Sequence, residues 1–125
     1  MSIAITLPLY LWKNILSGEK TIELRKNFPK KFDVNADVVF VIIKGTHRVA
    51  GCFRVREFEE VTNTFRMLIN PPKGIFVSER WIRKYLQNSD ICYLWHIKEI
   101  YAFEAYKTAN DYLNLKTNPQ SFVYV

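Results

Sequence analysis

Lys20, Glu23 and Arg25 crowd into the run Gly18-Glu19-Lys20-Thr21-Ile22-Glu23-Leu24-Arg25, and Gln120 and Ser121 stand near the far end of the chain. These types suit the handling of an anion or a polar ring. Arginine offers a planar, permanently charged fork for a phosphate or carboxylate, and lysine a compact point charge. Glutamate either presets that fork or accepts protons from an amino group. In a binding reading, Lys20 and Arg25 hold an anion while Lys26, Lys30 and Lys31 extend the positive surface beside them. The plain alternative is a solvated ion pair worth under ~1 kcal/mol.

The elements that must position these groups are legible locally. Leu9, Trp12, Ile15 and Leu16 recur at helical spacing behind Pro8, and Gly18 just beyond them is a left-handed terminator, which predicts a helix over 8–17. Thr21 to Arg25 alternates with the period of a strand, turning Ile22 and Leu24 inward and Thr21, Glu23 and Arg25 to the other face. Lys20 falls in the turn, free to swing its ammonium onto that face. A first strand is expected over 2–7 and a basic loop over 27–35. Strands over 36–44 and 48–57 are joined as a hairpin by Gly45-Thr46-His47, with Arg54 and Arg56 on one strand face. Residues 57–67 give no clear element, and Asn70-Pro71-Pro72-Lys73-Gly74 reads as an extended loop and candidate lid. Ser78 caps a helix carrying Trp81, Ile82 and Tyr85 along one side and Arg80, Arg83 and Lys84 towards solvent. A long strand over 91–105 slips in period near Ile100, as a bulge would make it. A short helical turn over 111–115 and a last strand over 122–125 complete a small, partly open β-barrel flanked by two helices.

Gly18-x-Lys20-x-x-Glu23-x-Arg25, set behind an apolar helix, resembles the signature of the ASCH domains, a family of the PUA-like superfamily. The closing Asn118-Pro119-Gln120-Ser121-Phe122-Val123-Tyr124-Val125 is similar to the strand that ends several ASCH proteins. With both ends matched, the resemblance spans residues 1–125 as a single domain. It implies an α+β fold, a small PUA-like mixed β-barrel of about five to six strands flanked by short helices, with a basic cleft between the motif and the C-terminal strand. It implies as partner RNA or a modified nucleotide, held by Lys20, Arg25, Lys26, Lys30, Lys31 and Gln120. The alternative it offers is a small hydrolase, a ribonuclease or a nucleoside amidohydrolase, using Lys20, Glu23 and Ser121. The amidohydrolases of the family read Gly-x-Lys-Thr-x-Thr-x-Arg with the second threonine as nucleophile. Glu23 occupies that position here, and a carboxylate does not replace a hydroxyl in amide cleavage; Thr21 and Ser121 are the hydroxyls that remain, with Lys20 as base if burial lowers its pKa. A third reading is a domain docked on a protein partner in a larger regulatory complex.

Charge supports the polyanion class. The chain carries a net +6, and residues 1–56 hold ten Lys/Arg against four Asp/Glu, whereas the remainder is balanced. A one-sided basic surface of this kind attracts nucleic acid. Cys52 and Cys92 lie in apolar strand-like runs without a CxxC partner, so two buried reduced thiols are expected. His47 and His96 are isolated in sequence; neither a metal nor a cofactor is expected. No stretch reads as a signal peptide or membrane span, so a cytoplasmic protein without a membrane partner is the expectation.

Overall fold

The computed structural model describes residues 1–62, 64–87 and 89–125. The elements run β1 (Ile3–Leu7), α1 (Leu9–Ser17), β2 (Ile22–Arg25), β3 (Val39–Ile43), β4 (Arg48–Val61), α2 (Phe65–Ile69), α3 (Glu79–Tyr85), β5 (Cys92–Thr108), α4 (Ala109–Leu113) and β6 (Phe122–Tyr124). All six strands join one sheet in the order β2-β5-β4-β3-β1-β6. β1 and β3 run parallel and the other neighbours antiparallel. The sheet curls into a half-barrel with four short helices, an α+β fold.

α1 forms because its apolar positions make one stripe. Leu11, Trp12 and Ile15 are buried, and Gly18 ends the helix at φ 85 with its N–H on the Ile15 carbonyl. The Trp12 indole packs into the concave side of the sheet with Ile3, Ile5, Val41, Phe53 and Trp95. A second cluster lies on the other side of β2, where Met67 and Ile82 from α2 and α3, with Leu86 just beyond, cover Ile22, Leu24, Val61 and Leu94. β2 is therefore covered by packing on its apolar side while Glu23 points the opposite way.

The slip near Ile100 is a bulge. Phe53 pairs with Ile100 and Arg54 with Lys98, leaving Glu99 as the extra residue at φ 45. Arg56 is a second extra residue, between the pairs Val55–Ile97 and Glu57–His96. That break removes the simple alternation expected of Arg54 and Arg56. Arg54 instead donates to the Val34 and Asn35 carbonyls and to Glu99, tying a loop to the sheet rather than extending a basic face.

Several boundaries differ from expectation. β4 continues to Val61, through a stretch whose acidic residues suggested irregular structure, and α2 follows it. Of the expected 57–67 stretch, Asn63 lies outside the described residues. Among the described residues the two expected helices are joined by α2, and the predicted turn is α4, which begins two residues earlier. Ser78 does cap α3, its Oγ accepting from the Trp81 N–H at 3.1 Å. The loop read as a lid is fastened down at its end, where the Gly74 carbonyl accepts from the Thr21 and Ile22 N–H groups at 2.9 and 3.1 Å.

Candidate functional site

The turn after Gly18 brings Lys20 to the Glu23 side of β2 and buries it there. Its side chain is 1% exposed, and Nζ donates to the Ile22 carbonyl at 2.7 Å and the Ile75 carbonyl at 2.8 Å while lying 3.3 Å from Glu23 Oε1. An ammonium has three protons, and three acceptors surround it. Burial, the largest influence, lowers the Lys20 pKa; the Glu23 carboxylate opposes this, and Arg25 adds to the lowering.

Glu23 stands at the centre, and the strand face expected to meet solvent is closed over it, leaving the residue 6% exposed. Its Oε1 faces Lys20 and its Oε2 accepts from Arg25 Nε at 2.9 Å, with Arg25 Nη2 2.8 Å away. Burial alone raises the carboxyl pKa; the charges and hydrogen bonds of Arg25 and Lys20 outweigh it and hold the group below its ordinary value. Glu23 is thus a buried carboxylate between two cations. Arg25 Nη1 reaches the Ser121 carbonyl at 3.1 Å, linking β2 to the segment ahead of β6, and its guanidinium lies 5.6 Å from the centre of the Trp95 ring. These contacts leave part of the five-donor fork unused.

The three side chains line a cleft of about 560 Å³. Thr6, Leu7, Pro8, Tyr10 and Leu11 border it from β1 and α1, and Asn118 to Ser121 from the C-terminal segment. Val77, Trp81 and Tyr85 add an apolar wall, and Lys44 a further cation. Trp81 and Tyr85 are stacked, their rings 4.7 Å apart and 13° from parallel. The C-terminal wall is fixed by hydrogen bonds to β1 and to the turn at His47. His47 meets Asn118 Oδ1 and the Leu115 carbonyl at 2.6 Å each, Asn118 Nδ2 donates to the Thr46 carbonyl, and Thr6 Oγ1 donates to the Pro119 carbonyl.

Of the residues singled out from sequence, Lys20, Glu23, Arg25, Gln120 and Ser121 converge on this cleft. Lys26 stands beside it, its ammonium 5.0 Å from the Tyr85 ring centre. Lys30 and Lys31 line a neighbouring, shallower recess instead. Lys44, Tyr10, Trp81, Tyr85 and Asn118 were not anticipated as cleft residues. The spacing of Trp81 and Tyr85, one helical turn apart, was the available signal, but it reads equally as a buried face. His96 is not isolated: its Nε2 lies 2.8 Å from Glu59 and 3.9 Å from Glu57 across β4 and β5, where the Glu59 hydrogen bond accounts for the grouping. Cys52 and Cys92 are free, buried thiols. Among the described residues, no helix is long and apolar enough to cross a membrane.

A curled six-stranded sheet of this order, with a helix after its first strand, is the fold of solved ASCH proteins. Among the structural neighbours are three crystal structures of an ASCH protein from Zymomonas mobilis. Two are mutant forms, with TM-scores of 0.83 and 0.79 at 16% and 18% identity, covering 99% of this chain and 87% and 89% of theirs. The third has a TM-score of 0.75 at 16% identity, covering 99% of this chain and 87% of its own. Neither a protein-family model nor a curated protein matches the sequence. The likeness is one of fold.

Proposed function

We propose that the cleft holds a nucleotide and that the protein is an RNA- or nucleotide-binding module. The observation that carries this is the pairing, in one cavity of about 560 Å³, of a partly unsatisfied guanidinium with the stacked rings of Trp81, which is exposed, and Tyr85, which is half-buried. That volume falls within the range of small-molecule pockets. Lys20, Arg25 and Lys44 against Glu23 leave the lining two charges positive, which attracts a phosphate. Trp81, 42% exposed, offers a ring face to a base, and Gln120 supplies donor and acceptor groups for a base edge. The ASCH fold agrees with this class of ligand.

Less supports the hydrolase reading. Lys20 already donates its protons to protein acceptors, and Glu23 is engaged by two cations, so neither is poised to take a proton from a substrate.

The test is calorimetric titration with nucleosides, acetylated cytidine among them, and with the ribonucleoside monophosphates. Loss of base stacking costs ~1–3 kcal/mol, so Trp81→Ala weakens binding by about tenfold or more. Arg25→Ala does likewise, and wild-type affinity falls with rising salt. Unchanged affinity in a Trp81→Ala/Arg25→Ala double variant would sink the assignment of this cleft. Turnover of RNA that disappears in Ser121→Ala would move the protein to the hydrolase class.

A further inference from the structure

The cleft does not end at Ser121. On the other side of that residue lies a second recess of about 460 Å³, lined by Asn27, Phe28, Lys30, Lys31, Phe122 and Tyr124. Ser121 borders both cavities, and its carbonyl is the one that Arg25 holds, so a guanidinium sits where the two meet.

We propose that this recess is a second nucleotide subsite, and that the ligand is a single strand of at least two nucleotides rather than a free nucleoside. The inference rests on the reading of the first cleft as a nucleotide site. Lys30 and Lys31 are exposed, and the Lys31 ammonium lies 5.9 Å from the centre of the Tyr124 ring. Phe28 and Tyr124 are half-buried, so each is steadied by packing while part of its surface remains open. Aromatic surface beside lysines is the chemistry of a base-stacking, backbone-tracking groove. Arg25 at the junction is placed for the phosphate between the two nucleotides. A base in each recess requires bases free to separate, which a duplex does not provide. The arrangement also accounts for Lys30 and Lys31, which the first cleft does not use.

The experiment compares the four ribonucleoside monophosphates with the matching homodinucleotides and homohexanucleotides, on wild-type protein and on the Lys30→Ala/Lys31→Ala variant. Both side chains are exposed and outside the first cleft. With the second recess occupied, the best dinucleotide binds about tenfold or more tighter than its mononucleotide. The double variant gives up most of that gain, and its salt slope for the hexanucleotide becomes shallower by up to about 1.4, at ~0.7 for each phosphate no longer neutralised. If mononucleotides bind and added length brings no gain beyond a statistical factor of about two, as expected from register alone, the second subsite is refuted while the first cleft stands. A gain that persists in the double variant refutes its location. If no mononucleotide or oligonucleotide binds, the nucleotide reading of the first cleft falls, and this inference with it.

Discussion

Replacing Lys20 by methionine, which keeps the length of the side chain and removes its charge, asks whether the residue is part of the fold or a free point charge. The variant deprives the Ile22 and Ile75 carbonyls of a buried donor and leaves Glu23 with Arg25 alone. An orphaned buried polar group costs ~1–3 kcal/mol, and breaking a buried ion pair by removing one partner costs ~3–5 kcal/mol. These costs overlap, and methionine recovers some apolar burial, so the expected loss is about 3–5 kcal/mol. Against a usual total of ~5–15 kcal/mol that is a large fraction, and it lowers Tm by on the order of 10–20 °C. Urea unfolding followed by tryptophan emission reads it directly, since Trp12 and Trp95 are buried. Lys13→Met on the exposed side of α1 is the control and changes little. The Lys20→Met/Glu23→Gln pair is less destabilised than the sum of its parts, with coupling of about 1–3 kcal/mol. A Lys20→Met midpoint within about 1 kcal/mol of wild type would refute the buried-donor account and return Lys20 to the role of a ligand-facing charge.

Further outcomes follow from neighbouring groups. Because the folded-state pKa of Glu23 is lowered, the unfolded chain binds a proton that the native one does not in the window between the two values. The Glu23 contribution is therefore complete above the unfolded pKa and is lost as pH falls through the folded one; urea midpoints across the acid range show this decline, and Glu23→Gln flattens it. Gly74→Ala strains a backbone at φ 90 and drives a Cβ into Thr21 Oγ1, so it costs more than about 1 kcal/mol in thermal denaturation. The Cys92 thiol is pushed up to about 11 by burial and that of Cys52 is also raised, so a disulfide reagent at pH 8 labels the native protein slowly and the urea-unfolded protein fast.

What the sequence made legible depended on chemistry within a few residues. The Gly18 stop, the Ser78 cap, the hairpin at Gly45 and the bulge near Ile100 each follow from local backbone or periodicity. The turn also allowed Lys20 to join Glu23, and it does. The covering of Glu23 was hidden, because it depends on Ile75 and Ser121, 55 residues from Lys20 and 96 from Arg25 respectively. β4 was cut short because Glu57, Glu59 and Glu60, exposed on both faces of its end, mask a strand that Phe58 and Val61 still anchor. Trp81 was read with the buried face of α3, yet only Ile82 on that helix is buried, while Trp81 and Tyr85 line the cleft. Lys30 and Lys31 were grouped with Arg25 by charge alone, and the fold divides them between two cavities.

The strand order leaves β2 and β6 as the two free margins of the sheet, and Arg25 spans from one to the residue just before the other. A guest held in the cleft as proposed would touch both margins and act as a clasp on an otherwise open curl. Its binding energy then opposes peeling of the C-terminal strand, by about 2.7 kcal/mol at a hundredfold excess over Kd, and amide exchange at Phe122 to Tyr124 slows in step with occupancy.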